Sequence, residues 1–275
     1  MTTPSLELSF SRTIAHLNKL GASVIVVHGG GPQITSLLKR LELPGEFCKK
    51  SGLRISPKEV VNACEMALCG TTNKRLSSLI SSFGGSPLGL SGRDCHIFKC
   101  RPIPKADGGA ELYNVGDVFE INTEPLHRML EAGFVPVLAP IGTSGGDAND
   151  EQIFNINADS AAGVLARKIG AHGIIFLTDI KGVLSKEMEL FNSLSTTKLE
   201  DLISDETITA GMIPKVRYAS FAVEGDEVKK AVIADGRVEF AVRNVVWGEL
   251  MAGKEETKIG EEWKSEGGGT LIYKA

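Results

Sequence analysis

The chain has 275 residues, 42% of them hydrophobic and 23% charged, enough for a sizeable core in one large or two modest domains. Its 30 Lys and Arg against 34 Asp and Glu leave a net charge of −4, which argues against a nucleic-acid binder, and no basic cluster overrides it. No apolar run approaches the roughly 18–20 residues of a membrane span, the first ten residues show no signal-peptide pattern, and five sparse cysteines read as reduced thiols; cytoplasm is the default expectation, with an organelle possible only if a targeting segment precedes Met1.

In chain order the elements read as a helix over 6–20, a short buried strand over 24–27 and a helix over 32–41, where Ile34, Leu37, Leu38 and Leu41 repeat at helical spacing. Residues 47–55 suit a small hairpin around Ser51-Gly52. A largely helical stretch covers 57–83, with a break near Gly70. A brief strand over 87–90 precedes two antiparallel strands, 96–101 and 112–121, joined by a loop holding Asp107-Gly108-Gly109. Then come a helix over 125–132, a strand over 134–141, a polar glycine-rich loop over 142–152 and a helix over 160–169. A strand over 173–178, helices over 199–203 and 214–223, and a strand over 230–234 follow. A charged loop over 254–269 leads to a last strand over 270–273. Apolar strands alternating with helices imply a mainly parallel sheet covered on both faces, with ligands bound outside the carboxyl ends of its strands.

Five places along this pattern suit chemistry. His28-Gly29-Gly30-Gly31-Pro32 joins a strand to a helix. Glycines there let the backbone approach a ligand, and the first helical N–H groups favour an anion. A tight turn needing positive φ explains one glycine; three together favour a ligand. The spacing is neither a dinucleotide fingerprint nor a P-loop. In Asn155-Ile156-Asn157-Ala158-Asp159, an extended backbone points Asn155 and Asn157 to one face. Asp159 then stands where it can cap the helix from Ser160, an explanation as good as catalysis for that residue alone. Pro214 starts a helix with Lys215 in its first turn, where the dipole disfavours a cation and a bound anion would offset it. Asp179 ends an apolar strand, where it can meet a ribose, organise lysines, or serve only the loop. Arg54, on the small hairpin, is either solvated or a two-pronged clamp for a carboxylate.

Together, and in this order, these stretches resemble the amino acid kinase family. The matching segments are "VVHGGGPQI", "GLRIS", "NKRL", "GLSGRD", "EAGFVPVLAPIG", "NINADSAAG", "LTDIKGVL", "GMIPKV", "IADGR" and "GGGTLI", spread from about residue 9 to 272. "HGGGPQI", "NINAD" and "GMIPK" are similar to its acetylglutamate branch, or to the related carrier-linked aminoadipate kinases. The resemblance implies a three-layer α/β/α sandwich with a mainly parallel central sheet. Residues 1–170 would form a lobe that binds N-acetyl-L-glutamate and dimerises; 171–275 would form the ATP lobe. It implies phosphorylation of the N-acetyl-L-glutamate side-chain carboxylate by ATP, in arginine biosynthesis. Mg²⁺ would be held mainly by the nucleotide phosphates, with no metal site on the protein.

By matching motifs, Gly30 and Gly31 would contact substrate and phosphoryl group, and Arg54 and Asn155 would hold the substrate. Asp159 would orient the catalytic lysines and Lys215 would stabilise the transition state. Asp179, Ile180, Lys181, Gly182, Val183 and Leu184, with Thr207, Ile208 and Thr209, would line the ATP site. Family members begin with a strand ending in Lys-x-Gly-Gly, whose lysine is a second catalytic cation. These 275 residues contain no such segment, so the expectation is a sandwich without its first strand and an enzyme short of one cation. Two other readings remain: a catalytically impaired homologue acting as a ligand-sensing or regulatory module, and a carrier-linked aminoadipate kinase.

Overall fold

Where strands and helices alternate, each strand needs cover on both faces, and the chain supplies it. The computed structural model describes residues 3–49, 51–103, 111–145, 152–208, 211–225, 227–252 and 269–275. The expected loop around Asp107-Gly108-Gly109, part of the 142–152 loop, most of the 254–269 loop and Thr209 lie outside them. The elements are α1 (Pro4–Lys19), β1 (Val26–Val27), α2 (Gly31–Arg40), α3 (Lys58–Glu65), a π-helical segment (Met66–Asn73), α4 (Lys74–Ser82), β2 (Pro87–Ser91), β3 (Phe98–Pro102) and β4 (Val115–Ile121). They continue with α5 (Glu124–Glu131), β5 (Val135–Ala139), β6 (Ile141–Thr143), β7 (Ile153–Ile156), α6 (Ala158–Ile169), β8 (Gly173–Thr178) and β9 (Ser193–Ser195). The last are α7 (Thr196–Ser204), α8 (Met212–Glu224), β10 (Lys230–Asp235), α9 (Ala241–Ala252) and β11 (Thr270–Tyr273).

The chain divides into a central unit, Ile14–Ala161, and a terminal unit, Met1–Thr13 with Ala162–Ala275. The sequence places one boundary at 170; the structural division lies inside α6, and the first residues of α1 go with the C-terminal part.

In the central unit β1, β5 and β2 form a parallel sheet in the order β1-β5-β2. β5, the middle strand, is buried along its whole length. Ile34 and Leu38 of α2, Val60 and Cys64 of α3 and Leu68 of the π-helical segment pack with Ala139 and Ile141 into one cluster. Strands β3, β4, β7 and β6 close into a small barrel, β3 and β4 antiparallel as the sequence predicts. The single strand expected over 134–141 is two. Pro140 has no N–H to donate, and the chain leaves the sheet there and enters the barrel as β6. No break occurs at Gly70. A glycine costs a helix only about 1 kcal/mol relative to alanine, and the chain stays helical by widening to π geometry over Met66–Asn73. Thr72 Oγ1 donates to the carbonyl of Ala67, five residues back, in keeping with that wider turn.

In the terminal unit the sheet order is β8-β10-β11-β9, with β11 antiparallel to β10 and the other pairs parallel. Alternation along β10 sorts its side chains. Ala231 and Ile233 join Phe176, Ile272, Leu199 of α7 and Val216 and Ala219 of α8 on one face. Val232 and Ala234 join Leu271 and Val245 of α9 on the other. Helix, sheet and helix therefore form three layers. β9 and α9 have no counterpart in the sequence reading; the three-residue strand is too short to show a period, whereas Val242 and Val245 of α9 carry helical spacing.

All five cysteines are free. Burial pushes the Cys64 thiol up to about 11 and that of Cys100 up to about 12, so both serve as packing. Among the described residues no helix is long and apolar enough to cross a membrane.

Candidate active site

The central unit carries the glycine loop. β1 delivers the chain to His28, and α2 begins at Gly31 with Pro32 in its first turn. None of Gly29, Gly30 and Gly31 lies in the left-handed region, so a tight turn does not explain them. Gly30 is explained by packing: a Cβ there would stand 2.6 Å from Leu68 Cδ2 and 3.2 Å from Thr72 Oγ1 of the π-helical segment. Gly31 is not, since a Cβ there would meet no protein atom within 4 Å. Gly30 is the N-cap and offers no side chain, so the N–H groups of the first turn of α2 have no side-chain cap.

Arg54 stands beside this helix start. Its Nη2 donates to Thr35 Oγ1 at 2.9 Å and to the Gly31 carbonyl at 3.5 Å, and its Nη1 donates to the Gly45 carbonyl at 3.3 Å. The guanidinium lies 4.3 Å from the centroid of Phe47, across the one-bridge hairpin that pairs Phe47 with Arg54. It is only 6% exposed, and burial lowers its pKa. Every one of these partners is neutral. Among the described residues this buried cation has no carboxylate partner, and at the positive end of a helix it is electrostatically incomplete.

Asn155 sits in β7, with Nδ2 donating to Ser56 Oγ at 3.2 Å. Ser56, fully buried, donates in turn to the Arg54 carbonyl at 2.8 Å. The two expected substrate-holding residues are thus joined through one hydroxyl that the sequence reading passed over. Two residues on, the cap assignment changes. α6 begins at Ala158, earlier than expected, and Asn157 Oδ1 accepts the Ser160 N–H at 3.0 Å. Asn157 is the cap, and Asp159 lies within the first turn, where a carboxylate favours the dipole. Capping is therefore not the role of Asp159, although its place in the first turn suits the helix dipole.

The terminal unit carries the other predicted residues. Asp179, Ile180 and Lys181 are exposed just beyond the carboxyl end of β8. The segment then turns inward. Gly182 has φ +146°, and a Cβ on it would stand 2.7 Å from Thr270 Oγ1. The same hydroxyl accepts the Val183 N–H at 2.9 Å. The Val183 and Ile208 side chains lie in the core, and Leu184 and Thr207 are half-buried. Lys215, half-buried, is the fourth residue of α8, which starts at Met212 rather than Pro214; the lysine stays in the first turn.

At the end of β10 the sequence reading missed an ion pair. The Asp235 carboxylate, 6% exposed, accepts from Arg237 Nε at 2.9 Å and Nη2 at 2.8 Å, and from the Arg237 N–H at 2.9 Å. Those hydrogen bonds hold Asp235 below the ordinary carboxylate range. Lys181 adds to that lowering and Asp179 stabilises the Arg237 charge, so four charges share the carboxyl ends of β8 and β10. The signal was Asp-Gly-Arg directly after an apolar strand.

Residues 2–235 match the amino acid kinase family. The chain belongs to that family. It is 41% identical over 250 residues to the acetylglutamate kinase of Rhodospirillum centenum, covering 88% of this chain and 80% of that one. The crystal structure of smu.665 from Streptococcus mutans UA159 superposes with a TM-score of 0.72 at 29% identity, covering 82% of this chain and 87% of that one. The N-acetylglutamate synthase of Neisseria gonorrhoeae, with coenzyme A and N-acetyl-glutamate, shares the fold: TM-score 0.79, 20% identity, 99% of this chain and 57% of that one.

Two outcomes follow for this amino acid kinase. Gly30→Ala should lower stability by about 1–3 kcal/mol through overpacking against Leu68, while Gly31→Ala should leave the urea midpoint unchanged; equal losses would contradict the packing account. Asp235, depressed in the folded state, contributes stability above its unfolded pKa of about 3.9, and that contribution is lost as pH falls through the folded value. The stability gap between the parent chain and Asp235→Asn should therefore shrink below about pH 4, as urea titrations at pH 3 and pH 7 would report.

Proposed function

We propose that this chain transfers the γ-phosphoryl group of ATP to the side-chain carboxylate of N-acetyl-L-glutamate, the activity named for its 41%-identical relative. The observation that carries the reading is Arg54: a buried guanidinium whose partners among the described residues are all neutral, beside the start of α2, which has no side-chain cap. A dicarboxylate substrate supplies the anions this corner lacks. One carboxylate pairs with Arg54, helped by Asn155. The other lies against the N–H groups at Gly30 and Gly31.

The chemistry needs little from the protein beyond placement. The nucleophile is a carboxylate, ionised at neutral pH because its reference pKa is about 4.3, so no general base is required. One of its oxygens bonds to the γ-phosphorus while the bond to the β-phosphate oxygen breaks and ADP leaves. Bringing two anions together is the difficulty, and fixed positive charge and N–H donors meet it. Lys215 stabilises the charge on the transferred group, and Asp159 organises the positive charge around it. Asp179 to Leu184, with Thr207 to Thr209, receive ATP. Mg²⁺ would be carried by the phosphates of the nucleotide rather than by a dedicated protein site. When bound, it would offset their charge. The chain is expected to work as a homodimer or a higher homo-oligomer.

Coupled measurement of ADP formation tests the reading. Turnover should require N-acetyl-L-glutamate, and Lys215→Ala should lower kcat by roughly 10²–10³ with little change in the KM for that substrate. Arg54→Lys, which loses the two-pronged geometry, should raise that KM by about tenfold or more. ADP formation indifferent to N-acetyl-L-glutamate, or dependent on a carrier-linked aminoadipate instead, would overturn the proposal.

A further inference from the structure

The "NKRL" stretch closes the π-helical segment with Asn73, which is completely buried. Its Nδ2 approaches three acceptors on three separate pieces of chain: His28 Nε2 at 3.1 Å, the Leu90 carbonyl of β2 at 3.1 Å and the Val137 carbonyl of β5 at 2.8 Å. An amide nitrogen only donates and its two protons are shared among these three acceptors, while the Gly29 carbonyl facing His28 Nδ1 can only accept, so Nε2 is the ring's bare nitrogen. The ring proton therefore sits on Nδ1, which donates to the Gly29 carbonyl at 2.9 Å. His28 is 7% exposed, and burial lowers its pKa, in keeping with a neutral ring.

A continuous chain thus runs from the π-helical segment through Asn73 and His28 to the first carbonyl of the glycine loop. The same segment places Leu68 and Thr72 under Gly30. π-helical turns concentrate at functional sites, and here the wide turn forms the floor on which the loop rests. The arrangement carries a cost, because Asn73 Oδ1 is buried with no partner among the described residues. Gly89 accommodates it: a Cβ there would stand 2.1 Å from that oxygen. An amide kept in place with an unpaired oxygen is held for what its nitrogen does.

We propose that Asn73 is a positioning residue that acts through His28 to fix the Gly29–Gly31 backbone for phosphoryl transfer, an inference that rests on the function proposed above. His28 is the link: its Nε2 reads Asn73 and its Nδ1 sets the Gly29 carbonyl. Substrate contacts at Arg54 and Asn155 lie outside this chain of bonds, so its loss should appear in kcat rather than in the KM for N-acetyl-L-glutamate.

The test combines nitrogen NMR of the histidine ring with a double-mutant cycle. The His28 spectrum should show a protonated Nδ1 and a bare Nε2, and Asn73→Ala should move the amide resonances of Gly29, Gly30 and Gly31. Asn73→Ala and His28→Asn should each lower kcat about 10–100-fold, and the double variant should fall no further than the worse single one. A proton on Nε2, glycine amides that stay in place, folded variants with unchanged kcat, or losses that multiply would overturn the proposal. If Asn73→Ala does not fold, His28→Asn decides, with unchanged kcat the contrary result. The NMR arms need no turnover, so a failure of the proposed reaction and a failure of this positioning role are told apart.

Discussion

A guanidinium buried beside the positive end of a helix is the constraint around which the central unit is arranged. Arg54 and the start of α2 would repel each other if nothing else were involved. The fold nevertheless holds them together, with Thr35, the Gly45 carbonyl and the Phe47 ring fixing the side chain and Ser56 tying its backbone to Asn155. Natural proteins rarely bury a cation among neutral groups unless an anion completes the set. The glycine loop fits the same logic. It leaves open space at Gly31, and its backbone is set by packing and by the His28 hydrogen bond rather than by glycine-only dihedrals.

The terminal unit solves a different problem. Its sheet is covered on both faces, and charged groups gather at the carboxyl ends of β8 and β10. There Asp179, Lys181, Asp235 and Arg237 alternate in sign, and each charge has an opposite one nearby. The segment from Asp179 to Leu184 divides its labour. Its first three residues face solvent, while Gly182 and Val183 anchor it to Thr270 on β11. An exposed tip on an anchored base is consistent with the nucleotide-receiving role proposed for this segment.

Much of this was legible in the sequence, and the exceptions have physical causes. Long apolar periods gave α2, α6, β8 and β10, because burial of one face dominates local preference. Gly70 misled because a breaker signal counts against a helix by only about 1 kcal/mol, which packing of Ala67 and Leu68 overrides. Of the two roles open to Asp159 in the sequence, the cap belongs to Asn157, because α6 starts two residues earlier than expected and no periodicity resolves such an offset. The motifs named the residues proposed to meet ligands. They did not reveal Ser56, Asn73 or the Asp235–Arg237 pair, whose partners are far apart in sequence or depend on how strands line up.

The central claim is that a substrate carboxylate completes the charge at Arg54 and the α2 start. Titrating the isotope-labelled protein with N-acetyl-L-glutamate while following the Arg54 Nε–H and the Gly31 backbone N–H by NMR tests it most directly. The account predicts that both resonances shift and saturate together at one stoichiometric site. Saturable binding that leaves both unmoved would contradict it.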